Sequence, residues 1–554
     1  MKFIVKILIS VLAGFLFLEP AVAQTPYHDY SDMIRMTDNM ARDYPTICSV
    51  QSLAKTQDGR EIKCITIGTG SKDEKPGIAV IGGIEGSYIF GRELSLGFAS
   101  LLLSNSDDKK VRALLDKITF YIIPDVSPDA SVQFFNNIRY ERNVNSRSVD
   151  NDRDFLIDED PFEDLNNDGL ITLIRVSDPA GYWLEHPDDK RIMKKADLSK
   201  GESGSYTVFT EGTDNDKDGF LNEDGEGGVS FNRNLTYDYE EFGSNSGLHP
   251  VSEPETKAVL DFLFDHFNIY VTFAFGPQDN LGRPMKGSEW SSAGNSTSAG
   301  GQNNTNRSRN RKITTILKSD DIINKLVSER YLEATGLKGS PPDISSPGNF
   351  MDWSYFHYGR YSFSTPGWWF PVEKGENRET AFLRYAEENN TNDVFVPWTR
   401  ISHPDFPGKE TEVGGIKPFV MINPPSDKMS DLISRHYTFL VNIAEMHPEI
   451  EFLDIKTEDI GENVYRLSLK VHNKGVFATC AESGESNIWT RIMRLHLEIP
   501  GSQKLLSGQA IQRIPSLEGD ASAEFSWLIF GKGQVKITAG AVNTGITNTS
   551  VELR

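Results

Sequence analysis

Apolar and polar positions follow two rhythms along this chain. Ile78-Ala79-Val80-Ile81 is a short unbroken apolar run ending at Gly82-Gly83, the pattern of a strand buried on both faces. From Arg92 to Leu103 the apolar residues recur at helical spacing. Ile118 to Ile123 is a second buried strand, closed by Pro124. Ser252-Glu253-Pro254-Glu255 reads as a capping box with proline inside the first turn. It predicts a helix carrying Val259, Leu260, Leu263, Phe264 and Phe267, and the strand Ile269 to Phe275 follows directly. Strands alternating with helices predict an α/β sheet covered by helices on both faces.

Two stretches break the rhythm. Residues 140–230 are rich in Asp, Asn and Gly, and residues 287–311 have almost no apolar content, which predicts a mobile loop. A helical pattern from Met429 to Met446 closes a first domain spanning 24–448. From about Ile450 the texture becomes short alternating runs, such as Tyr465 to Val471, separated by turn residues. That predicts a small C-terminal all-β sandwich over 449–554.

The N-terminus adds a compartment. Lys2 and Lys6 precede an apolar run from Ile7 to Leu18 and a small-x-small site, Ala21-Val22-Ala23. That order reads as a signal peptide over 1–23, and it predicts an exported protein that is periplasmic, cell-surface or secreted. No later run is long enough to span a membrane. The 57 basic and 79 acidic side chains leave a formal charge of -22, which disfavours nucleic acid and anionic membranes and favours cations. The three cysteines, Cys48, Cys64 and Cys480, are too few and too scattered for a disulfide scaffold or a thiolate metal site. A Cys48–Cys64 pair stays open.

The acidic stretch has a metal-binding pattern. Asp214-x-Asp216-x-Asp218-Gly219 places carboxylates at alternate positions before a turn glycine, and a hard cation needs about six to eight oxygens wrapped round one point. Phe220 would add its carbonyl, and Glu223 and Asp224 stand in for the missing twelfth-position Glu. Asp164-x-Asn166-x-Asp168-Gly169 repeats the pattern. Asp150-x-Asp152-x-Asp154 repeats it less well, with Phe155 at the glycine position. The expectation is structural Ca²⁺; a solvated acidic loop is the alternative.

Five segments, in order, resemble the zinc-carboxypeptidase (M14) family. Gly82 to Glu93 (GGIEGSYIFGRE) resembles its strand–His-Gly-x-Glu–helix signature, and Pro124 to Asp129 (PDVSPD) its Asn-Pro-Asp-Gly segment. Ser230 to Asn234 (SFNRN) resembles the substrate-binding Asn-Arg motif. Ser252 to Thr256 (SEPET) opens the following helix, and Asp352-Trp353-x-Tyr355 precedes the strand of the catalytic glutamate. The resemblance covers about residues 27–446. It implies a mixed, mostly parallel sheet flanked by helices, and it looks like a bacterial extracellular branch of the family.

The family's chemistry does not carry over with the segments. Its zinc ligands fall here on Glu85, Tyr88 and Ala274, and its general-base glutamate on Pro366. Ala and Pro side chains bind no zinc and move no proton, so zinc is not expected. The anion-binding half remains: Asn232 and Arg233 match the residues that grip a substrate's C-terminal carboxylate, and Arg142, with Arg139 and Arg147 as close competitors, matches the arginine that polarises the scissile carbonyl. A guanidinium fork suits a carboxylate because it offers two parallel charge-assisted hydrogen bonds. The expected function is a non-catalytic binder of peptide or peptidoglycan C-termini, or of a protein partner. The alternatives are a metallocarboxypeptidase with a rebuilt site and a calcium-stiffened structural surface protein.

Overall fold

The computed structural model describes residues 27–150, 155–286 and 313–554. The signal-peptide segment, Asp152, Asp154 and all of 287–311 lie outside the described residues. At the centre is a six-stranded sheet. Its strands are β1 (Cys48–Lys55), β2 (Glu61–Ile67), β3 (Gly77–Ile81), β4 (Thr119–Ile123), β5 (Ile269–Phe275) and β6 (Tyr361–Thr365). The spatial order is β1-β2-β4-β3-β5-β6; β4, β3, β5 and β6 run parallel, and β1 and β2 add antiparallel edges. This is the mixed, mostly parallel sheet the resemblance implies.

Both faces of the sheet are covered, which explains the unbroken apolar runs. Ile78 and Val80 join one hydrophobic cluster while Ala79 and Ile81 join the other, as the two-residue period of a strand requires. The first cluster packs under helices Ile89–Ser104 and Met429–Ala444. The second lies under Pro254–Asp265 and Phe350–Phe356. Cys48 belongs to the first cluster and Cys64 to the second, so they lie on opposite faces and remain free thiols. Helix Pro254–Asp265 begins as predicted, with proline in its first turn, but Ser252 does not cap it. The Ser252 hydroxyl turns instead to Glu253 Oε1 at 2.7 Å and receives the amide of Asn234 at 3.0 Å.

The Asp-rich insert contributes more than loops. Leu173–Ser177, Trp183–Glu185, Met193–Lys195 and Tyr206–Thr210 form an antiparallel sheet with Phe395–Ile401 and Thr411–Ile416. Arg175 joins its parts, donating to Glu412 Oε2 at 2.7 Å and lying 4.5 Å from the Trp398 ring. Beyond residue 449 the chain folds into two four-stranded antiparallel sheets around a hydrophobic cluster that includes Leu467, Leu495, Trp527 and Ile537. No helix among the described residues is long and apolar enough to cross a membrane.

Candidate functional site

Positions 85, 88, 274 and 366 meet at the C-terminal ends of β3, β5 and β6. Ala274 pairs with Ile81 on one side and with Ser364 on the other, and Pro366 follows the last residue of β6. The central strand β3 has β4 on one flank and β5 on the other. That is the point of an open α/β sheet where ligands bind.

The turn after β3 depends on its glycines. Gly83 has φ +59°, and a Cβ there would lie 2.2 Å from Asp125 Oδ1. Asp125 is a scaffold residue: it accepts from Ser127 N at 3.0 Å and Ser131 Oγ at 2.6 Å and faces Arg92 at 3.6 Å. Asn143 Oδ1 then holds Ser87 by its backbone N–H (2.9 Å) and its hydroxyl (2.7 Å). This fixes Glu85 and Tyr88 at the mouth of the sheet.

Asn232 is fully buried in the short turn Phe231–Arg233, and its amide is wholly engaged by the protein. Nδ2 donates to Glu85 Oε1 at 2.8 Å and Gln278 Oε1 at 2.7 Å, while Oδ1 accepts from Phe350 N at 3.0 Å. Arg233 is only half-buried, and among the described residues its one acceptor is Ser244 O at 3.3 Å. Arg142 is tied into its own loop. It donates to Val144 O, Asn145 O and Ser146 Oγ, each at 3.1 Å, with Glu226 at 3.9 Å. Of the three expected anion-binding residues, Arg233 therefore keeps the most donors for a ligand.

Burial pushes the Glu85 carboxyl above its ordinary pKa, and the Asn232 hydrogen bond and the Arg233 charge offset part of that rise. The Tyr88 phenol is also raised, first by burial and then by the carboxylates of Glu85 and Glu141. The three zinc-ligand positions thus offer one carboxylate, a phenol that keeps its proton, and a methyl group. This donor set does not fit a tetrahedral zinc ion.

Several neighbours carry no sequence signal. Glu141 accepts from Phe419 N at 2.8 Å, and burial raises its pKa. Arg378 reaches Tyr88 and Glu141 electrostatically from the first turn of helix Arg378–Glu388. Burial pushes Asp279 up to about 6 although it accepts from Gly282 N and Arg283 N at 2.9 Å each. Beside the site opens a groove of ≈ 1600 Å³, lined by Glu141, Arg142, Asn143, Glu226, Phe242 and Ser244 among others.

The acidic loops are distinct from one another. Ligand atoms of Asp214, Asp216 and Asp218 lie within 4.8 Å of one another. Gly219 N donates to Asp214 Oδ2 at 3.1 Å and Phe220 N to Asp218 Oδ1 at 2.8 Å, so the turn wraps the carboxylates inward. Asp214 Oδ1 and both Glu223 oxygens are buried without a hydrogen-bond donor among the described residues. Glu223 is pushed up to about 7, first by burial and then by the carboxylates of Asp160 and Asp218. Asp224 is buried and accepts from Asp158 N at 3.1 Å. In the Asp164 loop, the carboxylates of Asp164 and Asp168 are met by the N–H groups of Gly169 (2.8 Å) and Leu170 (2.9 Å) and by the Asn166 amide (3.0 Å). Asp150 accepts from Phe155 N at 3.1 Å.

Comparison with known proteins places the chain. A family model described as "Zinc carboxypeptidase" matches residues 33–368, more than half of the 554 residues. A second, described as "Domain of unknown function (DUF8731)", matches residues 449–552. Carboxypeptidase B from Astacus astacus is 31% identical over 127 residues, 22% of this chain and 40% of that protein. Inactive metallocarboxypeptidase ECM14 from Saccharomyces cerevisiae is 28% identical over 126 residues, 22% of this chain and 29% of that protein. The chain therefore spans less than half the length of either relative. Among solved structures, bovine thrombin-activatable fibrinolysis inhibitor in complex with tick carboxypeptidase inhibitor matches at 14% identity and TM-score 0.40, over 76% of this chain and 96% of that one. By the extent of the first match, the chain belongs to the zinc carboxypeptidase family.

Proposed function

We propose that this member of the family is an exported, non-catalytic receptor for free C-terminal carboxylates of peptides or peptidoglycan. The observation that carries the reading is Arg233, half-buried at the end of the turn Phe231–Arg233 with a single carbonyl as its acceptor among the described residues. Alanine at 274 and proline at 366 supply neither a metal ligand nor a proton-transfer group. The relative named an inactive metallocarboxypeptidase is in keeping with such a role. Calorimetry with matched peptides, free acids beside C-terminal amides, tests the reading: acids should bind and amides should bind poorly. Equal binding of the two, or turnover of the acids, would overturn it.

The Asp214 loop, in the same proposal, holds Ca²⁺. Buried carboxylate oxygens without donors are costly unless a proton or a cation meets them. Asp214, Asp216, Asp218, the Phe220 carbonyl and Glu223 supply hard oxygens of the kind Ca²⁺ takes. The Asp164 loop, already met by its own N–H groups, is the weaker candidate. A cation that binds only the native state stabilises it by mass action, about 2.7 kcal/mol at a hundred times Kd. EDTA should lower the melting temperature by several degrees, and Ca²⁺ should restore it better than Mg²⁺. An unchanged melting curve would remove calcium from the account.

A further inference from the structure

The carboxylate reading rests on a corner of the structure where two opposite charges are near each other but not joined: Asn232 holds Glu85, and Arg233 is the next residue in the chain. Glu85 uses Oε1 to accept from Asn232 at 2.8 Å, and no described group donates to its Oε2. Arg233 gives one Nη1–H to Ser244 O at 3.3 Å and has no other acceptor among the described residues. The Arg233 charge is felt at Glu85, yet no ion pair within 4.0 Å forms between them. Both side chains are partly exposed. Glu85 is held in place from behind, because the buried Asn232 is itself fixed by Gln278 at 2.7 Å and by Phe350 N at 3.0 Å. The pocket thus presents an unmet acceptor beside unmet donors.

The complement of that arrangement is a small zwitterion. We propose that Glu85 is a specificity-determining residue, selecting ligands that carry a carboxylate and a free ammonium on the same carbon. The inference depends on the carboxylate reading above and narrows it: an ordinary peptide C-terminus, whose terminal α-nitrogen is acylated, becomes the weaker ligand of the site, and a head with a free α-ammonium the tighter one. The ligand's carboxylate lies on the Arg233 fork and its ammonium on Glu85 Oε2, so each charge is met by its opposite. An N-acylated residue brings only a neutral amide N–H to Glu85. Its carboxylate then sits near a second negative charge with no cation between them, a repulsion that a partly desolvated pocket strengthens. Two sources share the zwitterionic chemistry: a free amino acid, and a diamino acid built into a polymer through its other end.

An isomer pair tests this. Nε-acetyl-lysine keeps the α-ammonium beside the carboxylate, whereas Nα-acetyl-lysine blocks it and leaves a remote ammonium. Calorimetry with the full-length protein should show the first binding about tenfold more tightly. Glu85→Gln is isosteric and keeps an Oε1 acceptor for Asn232, so a melting curve should confirm that it folds. In that variant the two isomers should fall within about twofold of each other, because the first loses its partner and the second loses its repulsion. Glycine separates the sources: binding as tight as Nε-acetyl-lysine points to free amino acids, and weaker binding to a head held through its side chain. If the unmutated protein binds both isomers equally but rejects C-terminal amides, the zwitterion inference fails and the carboxylate site stands. If the preference survives in Glu85→Gln, Glu85 is not its source and the inference also fails. If no free acid binds at all, the carboxylate reading itself falls and this one falls with it.

Discussion

Replacing Arg233 by alanine should weaken binding of a peptide free acid roughly thirtyfold, about 2 kcal/mol, while leaving the fold intact. The expectation follows from how Arg233 is held. It is half-buried, and among the described residues its acceptor is one carbonyl at 3.3 Å and no carboxylate closes on it. A fully desolvated charge pair would be worth more, but water at the mouth of the pocket competes for this guanidinium. Arg233→Lys should recover part of the affinity through charge alone, without the two-pronged geometry. Asn232→Ala should behave differently. Removing that amide leaves Glu85 Oε1, Gln278 Oε1 and Phe350 N without partners inside the protein, so its main effect should appear in the melting temperature. Calorimetry beside thermal melts on both variants separates the two roles. Unaltered affinity in Arg233→Ala would make Arg233 a scaffold residue and favour a structural role for the whole chain.

The contrast between these two neighbours shows what the sequence can and cannot convey. The central sheet is legible because strands covered on both faces, such as Ile78 to Ile81 and Ile269 to Phe275, must be continuously apolar. The positions of Glu85, Ala274 and Pro366 are legible through the matched family segments, which fall after or within the strands Gly77–Ile81, Ile269–Phe275 and Tyr361–Thr365. The engagement of Asn232 is not legible, because it depends on Gln278 and Phe350, residues brought to it by other elements. Glu141 and Arg378 are hidden likewise. They lie far apart in sequence, neither belongs to a motif, and they meet only in the fold. The insert sheet escapes pattern reading because Trp183–Glu185 and Met193–Lys195 are only three residues long and carry no full alternation. Leu173–Ser177 finds one of its partners more than two hundred residues away, where Val176 pairs with Thr411.

A second large effect is expected where the β-sandwich meets the carboxypeptidase fold. Arg360 immediately precedes β6, is 4% exposed, and donates to five acceptors: Ile269 O at 2.6 Å, Tyr358 O at 3.2 Å, Gly359 O at 3.3 Å, Thr490 Oγ1 at 2.8 Å and Trp489 O at 2.7 Å. Its guanidinium also lies 4.3 Å from the Tyr358 ring. The segment it grips is held by further contacts. Trp489 stacks on Phe264 at 4.1 Å, Asn487 donates to His357 O at 2.7 Å, and Asp320 accepts from Glu482 N at 2.9 Å and Ser483 N at 3.2 Å. Gly359 permits the close approach, since a Cβ there would lie 2.8 Å from Gly484 Cα. Arg360→Ala would leave buried carbonyls without donors and open a cavity, at a cost of about 3–5 kcal/mol. Lysine, a compact ammonium with three donors in place of a five-donor fork, should recover less than half of that. Because two of the lost bonds, to Thr490 and Trp489, tie the carboxypeptidase fold to the C-terminal domain, the alanine variant should also uncouple the two. Calorimetry should then resolve two unfolding transitions where the unmutated protein shows one, the lower belonging to the half that Arg360 no longer clamps. A single transition at an unchanged temperature would mean that the sandwich is held by its other contacts and that Arg360 adds nothing to the docking.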